Sequence, residues 1–306
     1  MTRRFVHEPL AEILDHVRTR AELGPITILV PNPDRGHGRY PGEPLSAALD
    51  APRHRPIRVW ADLADRLELR LHTPLPKGDE VELTFSPLDA SAALLDRATR
   101  GPGKYGPASG FQRASKLEEP DFLVDLEDAL QRCELPLEPR VLSLGVNTGS
   151  ELMPILRHRP GAKLVGVDHD GAALAVARRR FGSPHRFLEA DLGQLPELGR
   201  HDLVVCIDTL QSPGVDDRAV LRRIVQELLE PEGSVVLGLP NCRHVDGELL
   251  HGARMVNYRQ PELSLVLKGI AFYKKYLQQH RKRVFVTGKH ELLVTAVPIA
   301  QPRMRG

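Results

Sequence analysis

"VLSLGVNTGSEL", residues 141–152, is the stretch on which the fold turns. An apolar-leaning run, Val141 to Leu144, enters a turn holding Gly145, Asn147 and Gly149, and a helical pattern starts at once. A strand that passes through glycines into a helix is the first half of a βα unit. The residues downstream continue the alternation. "AKLVGVDHD", "HRFLEAD", "HDLVVCIDTL" and "GSVVLGLP" read as strands, and "ELMPILRHR", "GAALAVARRRFG" and "DDRAVLRRIVQELLE" as helices. "PDFLVDLEDALQRC" precedes the first strand as a helix with Phe122, Leu123, Leu126 and Leu130 on one face. A long helix, "PELSLVLKGIAFYKKYLQQH", and two strands, "RVFVTG" and "ELLVTAVP", close the chain. Their short connection makes the last two antiparallel. The pattern predicts an α/β fold, a doubly wound, mostly parallel sheet with one antiparallel edge strand.

The first third follows other rules. "MTRRFVHEPLAEILDHVRTR" reads as an amphipathic helix with Leu10, Ile13, Leu14 and Val17 on one face. "LELRLHTPLPKGDEVELTFSPL" reads as two strands around a Pro-Lys-Gly-Asp turn, and "LDASAALLDRATR" as a helix. Pro and Gly gather in 31–44 and again in 100–110, the second a linker or lid. Two domains are expected: a mixed α/β accessory region over 1–115 and the doubly wound domain over 116–306.

Composition narrows the class. With 41% hydrophobic and 27% charged residues, the chain is that of a soluble globular protein. No apolar run reaches the roughly 20 residues that cross a bilayer, and no membrane role is expected. Three widely spaced cysteines, Cys133, Cys206 and Cys242, suit a reducing cytoplasm better than a disulfide framework. The histidines have no metal-ligand spacing, so no metal is expected.

In open α/β sheets a ligand lies beyond the carboxyl ends of the strands. Asp168 ends the second strand, about 20 residues past the glycine turn, where an acid can accept from both ribose hydroxyls. Asp191 follows the third strand and can accept from an adenine amino group. Together they point to an adenosine ligand. The dinucleotide frame G-x-G-x-x-G reads Gly145, Asn147, Ser150 here, so two of its glycines are missing. Glu151 falls in the first helical turn, where it would repel a pyrophosphate. A ligand without phosphates, carrying a cationic amino acid portion, suits these residues.

On "LSLGVNTG", "VGVDHD", "EADLGQLP" and "HDLVVCIDTLQS", over about residues 116–300, the chain resembles the class I S-adenosylmethionine-dependent methyltransferases. The resemblance implies S-adenosyl-L-methionine as cofactor. It implies that Gly145 and Gly149 pass its methionine part, that Asp168 contacts ribose and Asp191 adenine, and that Asp208 lies near cofactor or substrate. Two positions depart from the family pattern: Ser143 stands where an acid is usual, and Asn147 where a glycine is. Asn tolerates left-handed backbone, so the turn is expected to survive at Asn147. Glu151 is a candidate to replace the missing acid.

The acceptor side is less legible, because methyl transfer depends more on alignment than on acid–base groups. Candidates for catalysis are Asp208, Asn241, Arg243 and Tyr258, the last three in the long segment 239–264 after the fifth strand. A basic run from Lys274 to His290, interleaved with Phe272, Tyr273 and Tyr276, is either an RNA-binding face or the solvated side of an amphipathic helix. The acceptor is thus an RNA or a small molecule. The different-class alternative is a non-catalytic binding module that keeps an adenosine pocket.

Overall fold

The computed structural model describes residues 2–36, 38–48, 50–67, 69–87, 115–212, 214–240, 244–245, 248–249, 264–289 and 291–299. The chain divides into two compact units, Met1–Leu94 and Leu95–Gly306.

The N-terminal unit contains β1 (Arg3–Arg4), α1 (Leu10–Ala21), β2 (Ile26–Pro31), α2 (Ile57–Leu67), β3 (Leu69–Leu71), β4 (Leu75–Lys77) and β5 (Glu80–Pro87). β2 pairs in parallel with β1 and antiparallel with β5, which also carries β3 and β4. Strict alternation along "VELTF" sends Val81, Leu83 and Phe85 inward. They meet Ile13 and Val17 of α1 and Trp60 of α2 in one core. Of the apolar face read on α1, Ile13 and Val17 are buried while Leu10 is exposed. The expected turn at Gly78 and Asp79 joins β4 to β5. β2 and α2 are elements the sequence reading passed over. The helix expected at 88–100 and the lid at 100–110 lie outside the described residues.

The second unit holds α3 (Pro120–Arg132), β6 (Arg140–Leu144), α4 (Leu152–His158), β7 (Lys163–Asp168), α5 (Gly171–Phe181), β8 (Arg186–Glu189), β9 (His201–Ile207), α6 (Asp217–Arg223), β10 (Leu229–Pro240), β11 (His244–Val245), β12 (Glu248–Leu249), α7 (Ser264–Gln279), β13 (Lys282–Gly288) and β14 (Glu291–Pro298). Seven strands form one sheet in the order β13-β14-β10-β9-β6-β7-β8. β10, β9, β6, β7 and β8 run parallel, and the closing hairpin adds its antiparallel strand, β14, against β10 at one edge.

The period of two along these strands explains the layering. Val141, Leu203, Val205, Val236 and Leu293 face one side, where Phe122, Leu126 and Leu130 of α3, Ile155 of α4 and Leu174 of α5 pack on them. Their neighbours Leu142, Leu144, Val204, Leu237 and Val294 face the other, against Leu221 of α6 and Val266, Ile270 and Leu277 of α7. Each fully buried aliphatic side chain contributes about 1.5–3 kcal/mol. Both faces being covered, ligand access is left to the strand ends. α5 shows how local sequence sets its limits. Asp170 caps it by accepting from the N–H groups of Ala172 and Ala173, and Gly182, at φ 62°, ends it.

Candidate functional site

The carboxyl ends of β6, β7 and β9 carry the residues singled out in the sequence. The loop after β6 is a run of left-handed positions: Gly145 at φ 72°, Asn147 at φ 49° and Gly149 at φ 78°. Asn147 therefore takes the conformation for which Asn is the best non-glycine substitute. Its side chain helps, since Oδ1 accepts from the N–H of Thr148 at 2.7 Å. The two glycines are required twice over. A Cβ at 145 would sit 2.0 Å from Thr209 Oγ1, and one at 149 would sit 2.6 Å from the Phe181 ring. The chain's own packing thus demands small residues there, before any ligand is considered.

Asp168 organises the loop. Only 7% exposed at the end of β7, it accepts from the backbone N–H of Asn147 at 2.7 Å on one oxygen and from that of Asp170 at 3.0 Å on the other. The next two loop N–H groups back, those of Gly145 and Val146, donate to the carbonyl of Val167 at 2.8 and 3.0 Å. The carboxylate is fixed in direction by two N–H groups, and each oxygen keeps acceptor capacity. Arg180 of α5 ties down the far side of the loop, donating to Thr148 O at 3.3 Å and Ser150 Oγ at 3.1 Å.

Asp191 is exposed after β8, and its Oδ1 accepts from Gly193 N–H at 2.6 Å, capping a short 3₁₀ turn. Ser143, buried in β6, shares the α3–α5 side of the sheet with Val141. Glu151 is partly buried at the N-terminus of α4. Desolvation pushes its carboxyl above the ordinary 4.5; Lys116 and Arg180 pull it down, and Glu291 pushes it further up.

Asp208 follows β9 and is, with Asn147, a second non-glycine residue of the site in the left-handed region, at φ 54°. Its N–H donates to Gly238 O at 3.0 Å. One carboxylate oxygen forms an ion pair with Lys116, and the other, Oδ1, is buried without a hydrogen-bond partner. Lys116 also reaches Glu291 at 2.9 Å. Neither Lys116 nor Glu291 stands out in the sequence. Lys116 precedes α3 and Glu291 opens β14, which pairs with β10 so that Glu291 lies opposite Pro240. Only the sheet order brings them to Asp208.

Asn241, Arg243 and Tyr258 lie outside the described residues. The basic run is divided by the fold: Lys282 is buried, Lys289 pairs with Asp121 at 3.1 Å, and Arg283 lies over the Phe285 ring at 4.8 Å. Lys274 and Lys275 remain exposed on α7. Among the described residues, no group of three His, Cys, Asp or Glu side chains is arranged to hold a metal ion. No described helix is long and apolar enough to cross a membrane.

Residues 142–235 match the family model of a methyltransferase domain. A release factor glutamine methyltransferase of Burkholderia pseudomallei is 34% identical over 128 residues, which cover 34% of this chain and 45% of that protein. A demethylmenaquinone methyltransferase of Thermus thermophilus is 38% identical over 81 residues, covering 24% of this chain and 37% of that one. The matched stretches span less than half the length of these relatives. Among solved structures, a SAM dependent methyltransferase from Aquifex aeolicus superposes with a TM-score of 0.47 at 16% identity, covering 66% of this chain and all of that one.

Proposed function

We propose that the α/β domain of this chain, whose residues 142–235 match the model of a methyltransferase domain, is a class I S-adenosylmethionine-dependent methyltransferase that transfers a methyl group from S-adenosylmethionine to an acceptor beyond the carboxyl ends of the central strands. The observation that carries the reading is the Asp168 carboxylate, aimed by two backbone N–H groups at the end of β7 beside a loop of left-handed residues.

The donor set suits this cofactor. Its side chains are mainly acceptors: Asp168, Asp191, Asp208 and Glu151. An adenosine with a cationic amino acid tail offers them hydroxyls, an amino group and an ammonium. A pyrophosphate offers them only repulsion. Asp208 Oδ1, buried without a hydrogen-bond partner, is an acceptor with room for a donor.

When bound, S-adenosylmethionine supplies an electrophilic methyl group on a sulfonium. The rest falls to the chain. Asp168 accepts from the ribose hydroxyls with the lone pairs that Asn147 and Asp170 leave open. Asp191 accepts from the adenine amino group with the oxygen not used for its own turn. Gly145, Asn147 and Gly149 form the backbone wall along the methionine part, and Glu151 and Asp208 face its positive end. Asp208, Asn241, Arg243 and Tyr258 are assigned to orienting the acceptor, a small molecule or an RNA. Residues 1–115 are assigned an accessory role. A cytoplasmic setting is part of the proposal, supported by Cys133 and Cys206 being free and buried.

Ligand-dependent thermal stabilisation tests the reading, because a ligand that binds only the folded state raises the melting temperature. S-adenosylhomocysteine is expected to raise it and NAD not to. Stabilisation by NAD alone would overturn the assignment. Stabilisation by S-adenosylhomocysteine without transfer of a labelled methyl group to RNA or metabolite extracts would favour a non-catalytic adenosine-binding module.

A further inference from the structure

Lys116 is shared. Its ammonium pairs with Asp208 and, at 2.9 Å, with Glu291, and it lies 5.9 Å from the centre of the Phe122 ring. The lysine comes from the turn before α3, Asp208 from the end of β9, Glu291 from the start of β14. Lys116 is therefore not given over to Asp208 alone. Asp208 in addition has its Oδ1 buried without a hydrogen-bond partner. The arrangement is also held against a backbone preference, with Asp208 in the left-handed region. A buried, under-compensated carboxylate costs free energy unless a positive charge approaches it.

The proposed reaction supplies such a charge and then removes it. The methyl donor carries a sulfonium; when a nucleophilic atom of the acceptor bonds to the methyl carbon, the carbon–sulfur bond breaks, sulfur keeps its electron pair, and the product is a neutral thioether on an otherwise identical frame. We propose that Asp208 and Lys116 together set the preference of this site for the cationic methyl donor over its neutral product, Asp208 supplying the uncompensated negative charge and Lys116 attenuating it. Glu291 takes part by drawing Lys116 away from full pairing with Asp208. The consequence is a site that holds the donor and releases the product, adjusted by a lysine outside the glycine loop. This inference rests on the methyltransferase reading.

A unit charge acting over the span of one or two side chains, through an effective dielectric of about 20 or more, changes a ligand's affinity by about 5- to 30-fold. Calorimetric titration of the whole chain at fixed ionic strength reads this directly. Three ligands are compared: S-adenosylmethionine, S-adenosylhomocysteine, and an analogue with a protonated amine in place of the methylsulfonium. Wild type is expected to bind both cations more tightly than the thioether. Asp208→Asn keeps the shape, and Asn accepts the left-handed backbone. It should lower the ratio of cation to thioether affinity by about 5- to 30-fold. Lys116→Met should move the ratio the other way, and Lys163→Met, at the amino end of β7, should leave it where it was.

The opposite signs keep the test decisive. A lost fold or general damage to the pocket weakens all three ligands together, and the second variant still reads the ratio. Binding with a ratio unchanged in both variants, or shifted in one direction by both, overturns this proposal alone. Wild type that binds none of the three overturns the methyltransferase reading and this proposal with it.

Discussion

The same sheet holds a lysine near each of its ends, and the two are held differently. At the amino end of β10, Lys282 is 4% exposed and donates to the carbonyls of Pro231 and Gly233 at 2.6 and 2.7 Å. At the carboxyl end, the Lys116 side chain is 29% exposed and pairs with carboxylates. Carbonyl dipoles carry no net charge, so the first lysine cannot be exchanged for a ligand cation without leaving the carbonyls unpaired. Carboxylates keep their charge whichever cation answers it, so the second can share its place with a ligand. The first contact closes a sheet edge, stitching the start of β13 to the start of β10. The second is proposed to tune a site. A buried lysine is read by what accepts from it more than by how deeply it lies.

The largest effect that would sharpen this contrast is expected at the carboxyl end, from Asp168→Ala. The variant removes the acceptor proposed for the ribose. It also strips the N–H groups of Asn147 and Asp170 of their partner. Hydrogen bonds to a charged group contribute about 1.5–3 kcal/mol each. Affinity for S-adenosylhomocysteine should fall by about 100-fold, roughly 2.7 kcal/mol, with a loss of stability alongside it. Calorimetry at unchanged affinity would remove Asp168 from the site and leave it only the loop-holding role.

Next comes the amino end. Lys282→Met keeps the aliphatic stem and deletes the ammonium, leaving two carbonyls unanswered. An unsatisfied buried acceptor costs about 1–3 kcal/mol, partly offset because no charge is then buried. A destabilisation of about 2 kcal/mol is expected in chemical denaturation, with the donor-to-product affinity ratio at its wild-type value. A shifted ratio would break the comparison, because it would make the carbonyl-held lysine part of the site's charge.

How much of this is visible in the sequence depends on how local the encoding is. The βα units are local. The apolar run "VLSL" and the glycine turn each announce themselves within a few residues, and so does Asp168 at its strand end. The left-handed Asn147 follows from its place between two glycines. The ion cluster is not local: Lys116 and Glu291 are 175 positions apart, and they meet only because β14 returns beside β10. No spacing rule reaches across that distance. Lys282 was hidden for another reason. In "RKRV" three successive cations read as one charged surface, yet the pleat turns Arg283 outward and Lys282 inward. A run of charge conceals the alternation that a strand imposes on it. Asp191 is legible in position, but its own turn uses one of its oxygens.

The smallest effect is expected from the exposed remainder of the basic run. An RNA-binding face needs cations that act together on neighbouring phosphates. For single strands, each phosphate contact lowers the logarithm of affinity by about 0.7 per decade of salt. Here the run is split. Lys282 is spent on carbonyls, Lys289 pairs with Asp121, and Arg283 stacks on Phe285. Lys275, Arg281 and Arg283 keep solvent-facing side chains. Replacing these three by Gln should leave S-adenosylhomocysteine binding as it was, since none of them belongs to the glycine loop or the ion cluster. It should also leave any RNA affinity and its salt slope nearly unchanged, as expected of a solvated face. A slope that flattens by about 2 units, the value for three lost contacts, would show that these cations do work in concert. The acceptor would then be an RNA, and the solvent face of α7 and β13 would join the carboxyl end of the sheet as a second place where positive charge in this domain serves a ligand.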